Sequence, residues 1–148
     1  MAFFEITSSH AAGHWVARRI MGGYFEERSR ALGLLKNGEL VAGVIYENWN
    51  QRSIFCHIAI TGSMTPAFLA AIFDYPFVVC EAEKIIVPVG QDNEQSIRLV
   101  QNMGIKEEAR LKDARPDGDL IFFTLNKTDC RFLGEKYGKK LTSSASST

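Results

Sequence analysis

Residues 84–105 read Lys84-Ile85-Ile86-Val87-Pro88-Val89-Gly90-Gln91-Asp92-Asn93-Glu94-Gln95-Ser96-Ile97-Arg98-Leu99-Val100-Gln101-Asn102-Met103-Gly104-Ile105. The run 84–89 is short, apolar and rich in β-branched residues, which predicts a buried strand, and Gly90 breaks it. Asp92 then stands as the cap of a helix, with Gln95 three residues on as in a capping box. Ile97, Val100 and Met103 recur at helical spacing, and Gly104 offers a left-handed stop. A buried strand followed directly by an amphipathic helix is half of a crossover unit, so some parallel pairing is expected.

The flanks extend this unit in both directions. Upstream, Thr65-Pro66 reads as a cap and first helical position, because proline lacks the N–H that would be orphaned there. That helix is predicted to end near Tyr75, since the residue before Pro76 is pushed out of helical geometry. Earlier still, residues 30–36 and 39–48 flank Asn37-Gly38, whose residues tolerate the positive φ of a tight hairpin turn. The run 53–60 follows a polar turn, so three antiparallel strands form a meander. A first helix is expected over 9–21, capped by Ser8 or Ser9 and stopped by Gly22-Gly23. Downstream, runs at 105–111 and 120–125 read as strands turned by Pro116-Asp117-Gly118, and a helical turn is expected at 130–133. The order is helix, three strands, helix, strand, helix, two strands: a mixed α/β sheet.

Composition narrows the function classes. The chain has 148 residues, and Lys+Arg and Asp+Glu are both 17, so the formal net charge is zero. A neutral chain carries no global field for coating nucleic acid or docking on anionic lipid. The three cysteines, Cys56, Cys80 and Cys130, lack CxxC spacing, which points away from a disulfide framework or zinc knuckle and toward a reducing compartment. No stretch approaches the roughly 18 apolar residues of a membrane span, and the first five residues do not read as a secretory signal. A cytoplasmic protein is expected. Residues 1–134 are expected to form one domain, and 135–148 a polar, disordered tail.

The element order over residues 10–125, with the run 87–105, resembles the GNAT acyltransferase superfamily. Asn93, Ser96 and Gly104-Ile105 match the V-x-x-x-N-x-x-S-x-x-x-x-x-x-x-G-[FI] signature of the branch that acetylates ribosomal-protein N-termini. The segments 107–113 and 117–119 also look like that branch. The resemblance implies a mainly antiparallel central sheet of about six to seven strands flanked by helices, with two strands splayed apart. It further implies acetyl-CoA as cosubstrate and transfer of its acetyl group to a primary amine. In such a fold a thioester's pantetheine arm can complete the open ladder as a pseudo-strand, and a helix N-terminus can face its pyrophosphate. The family's usual phosphate loop, Q/R-x-x-G-x-G/A, is here replaced by Thr61-Gly62-Ser63-Met64-Thr65-Pro66. Its free helix amides would begin at Ala67 and Phe68. This short turn leaves open a second class, a protein of the same fold that binds or inhibits without turnover.

Candidate site residues follow from both arguments. The resemblance places the cofactor along Ile58 and Ile60, at Gly62 and Ser63, and beside Asn93. His57 lies mid-strand where the family often places its base. An imidazole with an ordinary pKa near about 6.5 can take a proton from an amine; the alternative is an inert strand histidine. Ser96 matches the serine that protonates the departing thiolate, or else is a surface residue of a first helical turn. Cys56 is adjacent to His57 and therefore points to the opposite strand face, as a small buried hydrophobe. His10 and His14 read as an exposed helix face, and Glu107 and Glu108 as a solvated strand. The loop 47–50 reads as a polar loop with one aromatic anchor or as part of an acceptor pocket. The acceptor is an amine of unspecified class, protein or small molecule; no metal is expected, and a homodimer is allowed.

Overall fold

A computed structural model describes residues 2–20 and 22–133; the expected tail at 135–148 lies outside them. The elements are β1 (Phe4–Thr7), α1 (His10–Ala17), β2 (Arg30–Lys36), β3 (Glu39–Glu47), β4 (Ser53–Ile60), α2 (Pro66–Asp74), β5 (Lys84–Gly90), α3 (Glu94–Asn102), β6 (Lys106–Arg115) and β7 (Gly118–Asn126). Among the described residues the strands form one sheet in the order β1-β2-β3-β4-β5-β7-β6. β4 and β5 pair in parallel, and the other neighbours are antiparallel. This is the mixed, mainly antiparallel sheet the sequence predicts. No described helix is long and apolar enough to cross a membrane.

The turn at Asn37 and Gly38, with φ of 51° and 85°, is the one the sequence specifies. β1 was not expected. It is a four-residue edge strand, exposed along most of its length, so it carries no alternation from which to be read. The first helix is shorter than predicted. Ser9 Oγ caps it through Ala12 N–H, as expected, but it closes at Ala17, and Arg18 donates its N–H to the His14 and Val16 carbonyls. Arg19 and Ile20 therefore lie past the helix, in the turn that follows.

The second helix does not stop at Pro76. It continues from Tyr75 to Val79 as a π-helical turn, with Cys80 N–H reaching back to the Tyr75 carbonyl at 2.9 Å. Pro76 cannot donate to the Ile72 carbonyl one turn earlier, so that acceptor would be orphaned. The buried Tyr46 hydroxyl donates to it at 2.6 Å. A side chain from the sheet thus satisfies the group that the proline leaves unpaired. The short turn expected at 130–133 is a 3-10 turn at Lys127–Asp129.

The sheet separates two apolar layers. On one face α2 and α3 cover Tyr46, Cys56, Ile58, Val87 and Phe123 with Phe68, Ile72, Phe73 and Val100. On the other, α1 lays Trp15 and Val16 on Ile45 and Ala59. α1 lies close to the sheet at Gly43, where an added Cβ would come within 2.6 Å of Val16 Cγ2. That packing carries the end of α1, and so Arg18, Arg19 and Ile20, to the middle of the sheet.

Candidate active site

The site begins where β4 and β5 part. They are in register only over Ser53–Lys84, Ile54–Ile85 and Phe55–Ile86. Beyond that point β4 stays paired with β3 as far as Ile60, and β5 stays paired with β7 as far as Gly90. The two strands diverge into a wedge with main chain on both lips. Pro88 lies on the β5 lip. A proline has no N–H to offer a ladder, which suits a strand paired on one side only.

Two cavities occupy the wedge and meet at Arg19, Ile58, Asn93 and Ser96. The larger, about 760 Å³, follows β4 through Ala59, Ile60 and Thr61 to Gly62, with Arg98 and Leu99 of α3 opposite. The smaller, about 360 Å³, holds His57, Pro88, Gly90, Asp92 and Arg115, with Arg18 and Ile20 arriving from the end of α1. The sequence-predicted residues His57, Ile58, Ile60, Gly62, Asn93 and Ser96 are therefore brought together along one cleft. Ser63 lies just beyond Gly62, its Oγ accepting from Lys36 Nζ at 3.4 Å.

Asn93, not Asp92, caps α3. Its Oδ1 accepts the Ser96 N–H at 3.1 Å. Asp92 instead lies 3.7 Å from the Arg115 guanidinium. The cap satisfies one helix-end amide and fixes the Asn93 side chain at the mouth of the wedge, leaving its amide N–H₂ as a donor group. At the other helix, Thr65 Oγ1 accepts the Phe68 N–H at 3.1 Å. Phe68 is thus committed to the cap, and the first-turn amides available to an anion are fewer than the sequence suggests. Gly62 holds φ at +118°, in the region that favours glycine, and nothing lies within 4 Å of where its Cβ would be. The turn is open to a ligand on that side.

His57 is largely buried, and its Nε2 lies 2.7 Å from Glu47 Oε1. A carboxylate can only accept, so Nε2 is the donor of this bond, and Nδ1 is the ring's other nitrogen. The sequence reading missed this partner, although it was within reach. The β3–β4 register sets Ile45 opposite His57 and Glu47 opposite Phe55, so Glu47 and His57 are diagonal neighbours on one face.

The remaining candidates lie elsewhere. Cys56 is fully buried on the opposite face, and burial, followed by neighbouring Cys80, pushes its thiol well above the ordinary range. His10 Nδ1 meets the Tyr24 hydroxyl at 2.7 Å, and His14 Nε2 meets Glu26 at 2.9 Å. Glu107 pairs with Arg110 and Glu108 with Lys84 on the exposed edge strand. In the loop 47–50, Trp49 Nε1 donates to the Cys80 carbonyl at 3.1 Å, while Asn50 Oδ1 accepts from the amides of Arg52 and Ser53.

No family model matches the chain. A comparison with curated proteins also gives no match. Solved structures do match. A probable acetyltransferase superposes with a TM-score of 0.59 at 21% identity over 70% of this chain, which spans 63% of that protein's length. The spermidine N-acetyltransferase SpeG from Vibrio cholerae, in complex with CoA and spermine, superposes with a TM-score of 0.67 at 14% identity, over 88% of this chain and 98% of that one. At these identities the likeness is one of fold alone, the fold that these solved acetyltransferases have.

Proposed function

We propose that this protein transfers an acetyl group from acetyl-CoA to a primary amine by direct attack within the wedge between β4 and β5. The observation that carries this reading is the two-chambered cleft, with His57 in one chamber, the Gly62 turn at the end of the other, and Asn93 and Ser96 where they meet. A CoA-bound neighbour of the same fold supports the identity of the cosubstrate.

The residues present fit such a ligand. The unpaired lips of β4 and β5 offer main-chain groups to an amide-bearing arm, as a strand edge does to a peptide. The Asn93 carboxamide is held by its cap and adds a donor at the narrow point. At the far end Gly62, Ser63 and Lys36 meet the phosphates, with Arg98 along the same chamber. Acetyl-CoA supplies an activated thioester; the chain's part is to hold it and the amine together, which accounts for much of the rate gain in two-substrate reactions. His57 takes the proton from the amine at Nδ1 as the C–N bond forms. Ser96, or a water beside it, gives a proton to the sulfur as the C–S bond breaks. The finer likeness, to the branch acting on ribosomal-protein N-termini, rests on the run 87–105. The three free thiols fit a cytoplasmic setting.

The reading is tested by following thiol release from acetyl-CoA with a panel of primary amines: protein N-termini, lysine side chains and small amines. Amine-dependent release supports it. Tight acetyl-CoA binding with no release from any acceptor favours the fold's non-catalytic use, as a binding or inhibitory protein.

Asn93 is separable into its two roles. Asn93→Ser keeps a capping oxygen and removes the carboxamide, whereas Asn93→Ala removes both. Acetyl-CoA affinity is expected to fall by about 1 kcal/mol, roughly one hydrogen bond, in both variants, with a loss of helix stability only in Asn93→Ala. Calorimetry and thermal melts read the two effects. Unchanged affinity in Asn93→Ser takes the carboxamide out of the site.

A further inference from the structure

The smaller chamber has a strong charge bias. Arg18, Arg19 and Arg115 line it, and among the described residues on its wall Asp92 is the one carboxylate. Arg115 is held in place. Its side chain is 13% exposed, and its guanidinium packs against the end of β5 where a Cβ on Gly90 would come within 2.6 Å of its Nε and Cζ. Arg19 is also directed: its Nη1 donates to the Trp15 carbonyl at 2.9 Å, and its guanidinium lies 3.8 Å above the Trp15 ring. Asp92, 46% exposed, lies 3.7 Å from Arg115.

This chamber also holds His57, the base candidate, which the acceptor nitrogen must approach. The phosphate end lies in the other direction, past Gly62, and has its own cations in Lys36 and Arg98. Arg18 and Arg115 line the smaller chamber and not the larger. Guanidinium groups fixed on a cavity wall match the planar, bidentate geometry of a carboxylate and repel a second ammonium.

We infer that the acceptor is a primary amine carrying a carboxylate, which Arg115, with Arg18 and Arg19, holds so that the amine faces His57. This rests on the acetyltransferase reading and narrows it. A polycation of the spermine type is disfavoured here, although a neighbour of the same fold was solved with spermine. A free amino acid and a protein N-terminus followed by an acidic side chain share the required chemistry.

The test compares three straight-chain series of equal lengths, ω-amino acids, alkylamines and diamines, as acceptors in the thiol-release assay with the full chain. The ω-amino acids are expected to exceed the diamines in kcat/KM by about tenfold or more. Arg115→Met and Arg18→Gln should raise KM for the ω-amino acid and shrink that preference, with KM for acetyl-CoA unmoved. Arg18 is exposed, so its variant stays informative if Arg115→Met fails to fold. Peptide pairs differing in glutamate or lysine next to the amino terminus separate the two sources: a glutamate preference assigns a protein acceptor, and turnover of ω-amino acids alone a small one. Equal use of the three series, a diamine preference, or an arginine effect on acetyl-CoA instead of the amine overturns the inference. If no amine reacts, the acetyltransferase reading fails by itself. Calorimetry with the same amines then decides, with binding selective for ω-amino acids sustaining an anion site and equal or absent binding ending it.

Discussion

His57→Gln is expected to lower kcat/KM for amine acetylation by about 10²-fold or more, the lower end of what a positioned general base contributes. Glutamine keeps an N–H₂ that can still reach the Glu47 carboxylate, so the β3–β4 packing is preserved while the ring lone pair is lost. The loss is expected in turnover and not in the KM for acetyl-CoA, because the ring acts on the amine and not on the cosubstrate. Glu47→Gln should fall between the parent and His57→Gln, because its carboxylate orients the ring without touching the amine. A His57→Gln variant with the parent's kcat/KM would leave His57 as a strand residue held by Glu47.

Gly62→Val is expected to weaken acetyl-CoA binding by about tenfold or more. A β-branched residue at a φ of +118° carries strain of order 1–3 kcal/mol, so the turn must move or the chain loses that much stability. Either way the open approach at Gly62 is lost. The same turn predicts a salt effect. With Phe68 N–H committed to Thr65, side-chain cations supply much of the attraction for phosphate, and such contacts are screened as ionic strength rises. Lys36→Met should weaken binding and flatten the salt dependence. Parent-like affinity in Gly62→Val with no response to salt would place the pyrophosphate elsewhere.

Much of the fold is legible in the sequence. Asn-Gly between two β-rich runs, Thr-Pro ahead of a helix and Gly104 after one are local signals, and each element they bound is present. What failed was tertiary. Asp92 and Asn93 are both good caps, and the choice between them falls to backbone direction after Gly90, with Asp92 drawn toward Arg115. Pro76 should end a helix, yet the Tyr46 hydroxyl, thirty residues earlier in the chain, supplies the missing donor and lets it run on. β1 has no alternation because little of it is buried. The wedge itself leaves almost no local trace: β4 and β5 read as ordinary strands, and Pro88 is the one hint that a lip goes unpaired. Glu47, Lys36 and the three arginines came to the site through strand register and the early end of α1, which no window of sequence contains.

The central claim, that the wedge holds acetyl-CoA, is tested most directly by thermal unfolding of the full chain with and without it, a measurement that needs no knowledge of the acceptor. A ligand at a hundredfold excess over its Kd adds about 2.7 kcal/mol of stability. A rise in Tm that grows with acetyl-CoA concentration and shrinks in Asn93→Ser and Gly62→Val is the predicted result. An unchanged Tm at millimolar acetyl-CoA would contradict the account.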